Sequence, residues 1–348
     1  MAATGIAATV IFLILIDAPC TRRTTAPHRS LRAEQSLHSG LQEYKVDPTS
    51  ATQNELLQLY DFSEVVDQGW HPPVREVQGV PSCSALPDRS VAPARPSALR
   101  IFQQHWPDYC REAAGLAGFV LCAGGLATLL EFPGSPVNDA IGSPLLRHLA
   151  LGAAMAIFVA VLAYSPWGKR TGAHINPAVT WSFYRLGRIG GWDTLFYTIF
   201  QCIGAIVAPP LLLWVIGPPF GHERIRYGTT QPGPPGEWVA FAAEFVISFV
   251  MMLVLLFALG SQHWAKRAGL LLAALIGIYI AVESPLSGMS LNPARSFGAA
   301  LLAGQWHGIW LYFAAPPLAM LLATEFYRKA RPASIASLPH YPVPVEMP

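Results

Sequence analysis

From Tyr109 onward the chain passes through six apolar stretches, at about 110–130, 148–164, 193–216, 238–260, 268–284 and 307–327. Each is close to the length a helix needs to cross the hydrocarbon of a bilayer. Backbone N–H and C=O groups in that solvent must bond to one another, so the stretches are read as transmembrane helices. Composition agrees: 52% of the 348 residues are hydrophobic and 13% are charged, against about 25% charged in soluble domains. The formal charge of +2, with no basic stripe carrying interleaved aromatics, speaks against a nucleic-acid partner. The five cysteines form no CxxC pair, so neither a disulfide framework nor a metal site is inferred.

The chain divides into an N-terminal extension, 1–105, a helical unit, 106–330, and a C-terminal tail, 331–348. Residues 21–105 are rich in Pro, Arg, Ser and Gln. A segment so poor in apolar runs cannot offset the entropy of ordering, and is expected to be mostly disordered. Within it, 54–66 has the pattern of a short amphipathic helix. The apolar segment 5–16 is too short to span a bilayer. It resembles the core of a signal peptide, but no Lys or Arg precedes it. No function is assigned to the extension.

Two further segments, 177–187 and 293–303, look helical but are too short to cross alone, and each opens at an Asn-Pro. Proline suits the first position of a helix and asparagine is a favourable cap, which predicts two half-helices. Basic residues gather between spans two and three (Lys169, Arg170, Arg185, Arg188), between four and five (Lys266, Arg267), and after span six (Arg328, Lys329, Arg331). The other side has fewer, so both ends of the six-span unit are expected in the cytoplasm. "GAHINPAVT" also aligns with "GMSLNPARS". With three spans per half, the halves run in opposite senses, as an inverted repeat.

Half-helices entering from opposite faces meet with their N-termini opposed, each bearing roughly half a positive charge. Such a point repels protons and metal cations and admits neutral molecules. The side chains of Asn176 and Asn292 are then expected both to cap and to orient a passing solute, with Pro177, Ala178, Pro293 and Ala294 completing the two turns. Arg295 stands where the first repeat has Val179; an intramembrane guanidinium normally faces a polar cavity, which places it at a constriction. Glu112 and Glu244 hold related positions in the two halves and are read as structural acceptors for the irregular loops. His174 is read as a support for its loop rather than a metal ligand, since no second ligand lies at zinc spacing. Gly115 and Gly118 are expected to allow close helix contact.

The motifs "TGAHINPAVT" and "SGMSLNPARSFG", with Glu112 and Glu244, resemble the major intrinsic protein family, the aquaporins and aquaglyceroporins, in a bacterial-type form. The resemblance covers about 109–330. It implies an all-α membrane protein, six transmembrane helices plus two half-helices in an inverted repeat, with a pore in every subunit of a homotetramer in the plasma membrane. It also implies a selectivity filter formed by Arg295, by Met289 and Ile280 at gapless spacing before it, and by a span-two residue near Met155 or Ala156. No cofactor and no enzymatic activity are implied. Water-selective members usually carry histidine where Ile280 stands, whereas glycerol facilitators commonly have aspartate where Ser296 stands, and a longer connection than 298–307. Water is therefore the expected solute, other small neutral solutes next, and a glycerol facilitator the alternative. An ion-coupled secondary transporter also uses broken helices, but no acidic residue is aimed at the expected meeting point.

Overall fold

A computed structural model describes residues 97–343. The expected apolar segment 5–16, the helix at 54–66, most of the extension, Cys20 and Cys83 lie outside the described residues. The described chain is an all-α bundle. Its elements are α1 (Ala98–Glu131), α2 (Pro136–Ala140), α3 (Pro144–Tyr164), α4 (Pro166–Thr171), α5 (Pro177–Arg185) and α6 (Gly191–Ile216) in the first half. The second half has α7 (Glu237–Leu259), α8 (Ala268–Val282), α9 (Ser284–Ser287), α10 (Pro293–Ala303) and α11 (Ile309–Ala330). Six of these, α1, α3, α6, α7, α8 with the turn before it, and α11, are long and apolar enough to cross a membrane.

The extension is expected to run to 105; α1 begins at Ala98. Ser97 caps α1 by accepting from the Arg100 N–H, so 98–105 form the first turns of a helix longer than the apolar pattern alone. The stretch 98–105 mixes polar and apolar residues and carries no apolar run of spanning length. The starts of the half-helices fall at Pro177 and Pro293 as expected, because proline and the preceding asparagine are local signals.

The halves pack alike. α1 lies along α6 and α7 along α11, α3 and α8 pair with one another, and the half-helices cross over, α10 against α6 and α5 against α11. Small residues set the spacing. A Cβ on Gly152 of α3 would stand 2.3 Å from the Gly277 carbonyl of α8, and one on Gly204 of α6 would stand 2.1 Å from the Ala113 carbonyl. A Cβ on Gly298 of α10 would meet the Ala205 carbonyl at 2.0 Å. Lipid tails give no hydrophobic drive between helices, so backbone approach of this kind supplies the packing contact. Gly118 faces α3 at Phe158, and Gly115 faces both Leu162 of α3 and the Ile175 side chain of a loop. Outward positions such as Ile157, Val161, Ile203 and Val207 are exposed, as lipid-facing residues are. Arg147 is buried and paired with Glu131 at 3.0 Å, so it adds little free positive charge to the side opposite the tail.

Candidate functional site

The site begins with the caps. The side-chain oxygen of Asn176 accepts from the Ala178 N–H at 2.9 Å, and that of Asn292 from Ala294 and Arg295 at 3.0 and 3.3 Å. These bonds fix which end of each amide is oxygen and turn the nitrogen toward the other half. Asn176 Nδ2 donates to the Leu291 carbonyl at 2.7 Å, and Asn292 Nδ2 donates to the Ile175 carbonyl at 2.7 Å. Each asparagine thus holds the residue preceding the other. An amide nitrogen carries two hydrogens, so one N–H of each remains, and both side chains line a cavity of about 60 Å³.

The loops leading into the caps correspond residue for residue. Gly172, Ala173 and Ile175 have φ of 84°, 45° and 38°; Gly288, Met289 and Leu291 have 77°, 50° and 58°. Left-handed backbone is strained for any side chain, most of all for a β-branched one, at about 1–3 kcal/mol for each such residue. Buried carboxylates hold both loops in that form. Glu112 accepts from the His174 and Ile175 N–H groups at 3.1 and 2.6 Å, and Glu244 from Ser290 and Leu291 at 2.5 and 2.8 Å. With those N–H groups turned outward, the Ile175 and Leu291 carbonyls face inward, where the opposite asparagine takes them.

A second layer repeats the same plan, and the sequence reading did not single it out. His174 Nδ1 lies 3.2 Å from Thr180 Oγ1, and in the other half Ser290 Oγ lies 2.5 Å from Ser296 Oγ. Tyr197 donates to the Thr171 carbonyl at 3.1 Å, and Tyr312 donates to that of Ser287 at 2.5 Å. Gln201 bonds both Glu112 and Thr180, at 2.8 and 3.1 Å. Extending the alignment of the halves past the Asn-Pro-Ala turns pairs Thr180 with Ser296 and Thr171 with Ser287, so the signal was present. Gln201 breaks the symmetry and had none.

Three cavities share walls. The central one opens, past Val159, His174, Val179 and Leu272, onto a cavity of about 290 Å³ on the side of the C-terminal tail. Past Phe119, Met289 and Arg295 it adjoins one of about 100 Å³ on the other side. Arg295 Nη1 donates to the Met289 carbonyl at 3.0 Å, which fixes the guanidinium against the wall. Met155, Ile280, Met289 and Arg295 all line the last cavity. Ala156 does not; its Cβ is directed at Gly277, 3.1 Å from where a Cβ there would stand. The close packing of α3 on α8 turns Ala156 toward Gly277, and the neighbouring Met155 takes the lining position.

The family model described as "Major intrinsic protein" matches residues 103–327. The chain is 37% identical over 184 residues to "Aquaporin NIP1-2" of Oryza sativa subsp. japonica, covering 52% of this chain and 59% of that protein. It is 35% identical over 178 residues to "Glycerol uptake facilitator protein-like 6" of Lactiplantibacillus plantarum, covering 50% of this chain and 82% of that protein. Among solved structures, the aquaglyceroporin from Plasmodium falciparum superposes with a TM-score of 0.53 at 20% identity, over 67% of this chain and 99% of that one. At that identity the likeness is one of fold.

Proposed function

This chain belongs to the major intrinsic protein family, and we propose that it is a passive channel conducting water and other small neutral solutes while excluding protons and ions. The observation that carries the reading is the pair of asparagines, bonded across the junction of the two halves and lining the narrow cavity between two wider ones. A water in that cavity meets one free N–H from each amide and the positive ends of two helix dipoles. Its oxygen turns toward them and its hydrogens turn away, which interrupts proton hopping without stopping flow. Glu112 and Glu244 are engaged by backbone N–H groups rather than aimed at the passage, which favours a channel over an ion-coupled transporter.

In this reading Met155, Ile280, Met289 and Arg295 form the selectivity filter, three apolar side chains facing one guanidinium. The ring offers an alkyl surface to a solute's carbon backbone and hydrogen-bond donors to its hydroxyls. That chemistry, together with a relative named as a glycerol uptake facilitator, supports a second reading in which glycerol also passes. The tail side is assigned to the cytoplasm from its basic residues, the membrane to the plasma membrane, and the assembly to a homotetramer. The test is stopped-flow light scattering on proteoliposomes. Osmotic shrinkage faster than that of empty vesicles, with no proton current, is the expected result, and shrinkage at the empty-vesicle rate overturns the water assignment. An inward glycerol gradient on the same vesicles separates the two solutes.

A further inference from the structure

The match to the family ends at residue 327, but the chain does not leave the bundle there. Pro332–Ser337 form a short 3-10 helix, after which the chain turns back beneath the tail-side mouth and buries Leu338. Two backbone bonds moor it. The Tyr341 N–H donates to the Arg188 carbonyl at 2.9 Å and the Val343 N–H to the Arg170 carbonyl at 3.0 Å. Arg170 lies before the first half-helix and Arg188 after it, so the moorings straddle the mouth. The Arg188 guanidinium also donates to His340 Nε2 and to the Ile335 carbonyl. Arg170 itself is held by Asp108 at 2.6 Å, which gives one mooring a rigid base.

These contacts place one side chain in the passage. The Tyr341 ring stands edge-on to His174 with centroids 5.2 Å apart, and 5.7 Å from Phe183. It lines the 290 Å³ cavity opposite Val159, Leu259 and Leu272. His174 lines both this cavity and the narrow one, so the phenol packs against a residue at their junction. Gly172 makes room for it: a Cβ there would be 2.8 Å from the Tyr341 ring. The grip is light, resting on two backbone bonds, one guanidinium and a few apolar contacts, set against the entropy of ordering residues 332–343. Val343 is already exposed. Local opening of this terminal segment would leave the contacts among the spanning helices in place.

We infer that the C-terminal segment is a strap that closes the tail-side mouth by seating Tyr341 beneath His174, and that its release opens the channel. The inference rests on the channel reading above for what is gated, but not for whether the mouth is covered. Two variants remove the stopper without touching a span: Tyr341→Ala, and a chain ending at Arg331. In proteoliposomes at matched protein density, both should raise solute flux several-fold over the intact chain. In parallel, Leu259→Cys in a chain whose own cysteines are replaced by alanine is treated with a bulky, membrane-impermeant maleimide. Labelling should be slow in the intact chain and several-fold faster in either variant. Equal labelling rates overturn the strap whatever the fluxes do, and faster labelling with unchanged, measurable flux overturns its closing role. Faster labelling with neither water nor glycerol flux in any form upholds the cover and instead removes the solute assignment.

Discussion

Replacing Glu244 by alanine removes the acceptor for two backbone N–H groups, Ser290 and Leu291, and for the Ser287 hydroxyl, all within 2.8 Å of the carboxylate. A buried donor left without a partner costs about 1–3 kcal/mol. Three of them would sum to several kcal/mol, but the variant also escapes the desolvation of a buried charge. Loop relaxation and entering water recover more, leaving a net loss of about 2–4 kcal/mol. The larger effect is on geometry. Without the carboxylate, the Ser290 and Leu291 N–H groups and the Ser287 hydroxyl lose their shared acceptor, the left-handed turn at Leu291 is held less firmly, and the Leu291 carbonyl that Asn176 grips is free to turn away. Osmotic permeability in liposomes should therefore fall toward the empty-vesicle rate, and the thermal midpoint in detergent should drop. Glu244→Gln, which keeps the volume and one acceptor oxygen, should lose less stability but still lose flux. Because the loops are joined through the asparagines, Glu112→Ala with Glu244→Ala should be non-additive by about 0.5–3 kcal/mol. Wild-type flux and midpoint in Glu244→Ala would refute the reasoning.

Two further outcomes follow from neighbouring features. Arg295→Val removes the fixed cation from the outer cavity, so a proton or small-cation leak should appear in voltage-clamped bilayers or pH-loaded vesicles while the fold persists. Gly152→Ala puts a methyl into the Gly277 carbonyl and forces α3 from α8; overpacking of this kind should cost about 1–3 kcal/mol, read as a lower thermal midpoint.

Much of this arrangement was legible beforehand because it is governed by local chemistry. A run of apolar residues declares a span through solvent alone, and Pro177 and Pro293 declare helix starts because a first-turn proline has no N–H to lose. Glu112 and Glu244 were recognisable as structural because both halves carry them. What escaped depends on contacts distant in sequence. Met155 and Ala156 are adjacent, and only the packing of α3 against α8 decides which of them faces the cavity. Gly115 looks like a helix-packing residue and also accommodates the loop residue Ile175. The fold-back of 332–343 relies on carbonyls at Arg170 and Arg188, and backbone acceptors leave no mark in a sequence. The mutual grip of the asparagines was missed for the same reason, since the acceptors are the carbonyls of Ile175 and Leu291.

In the channel reading proposed above, that grip ties transport to architecture. The two copies of the repeat are buckled together at the spot where, in that reading, a solute would squeeze through, each lending a hand to the backbone of its twin. Neither copy has a finished throat by itself. A change at either asparagine is therefore felt twice, once by the molecule in transit and once by the joint that keeps the halves facing each other, and selection cannot tune the first without testing the second.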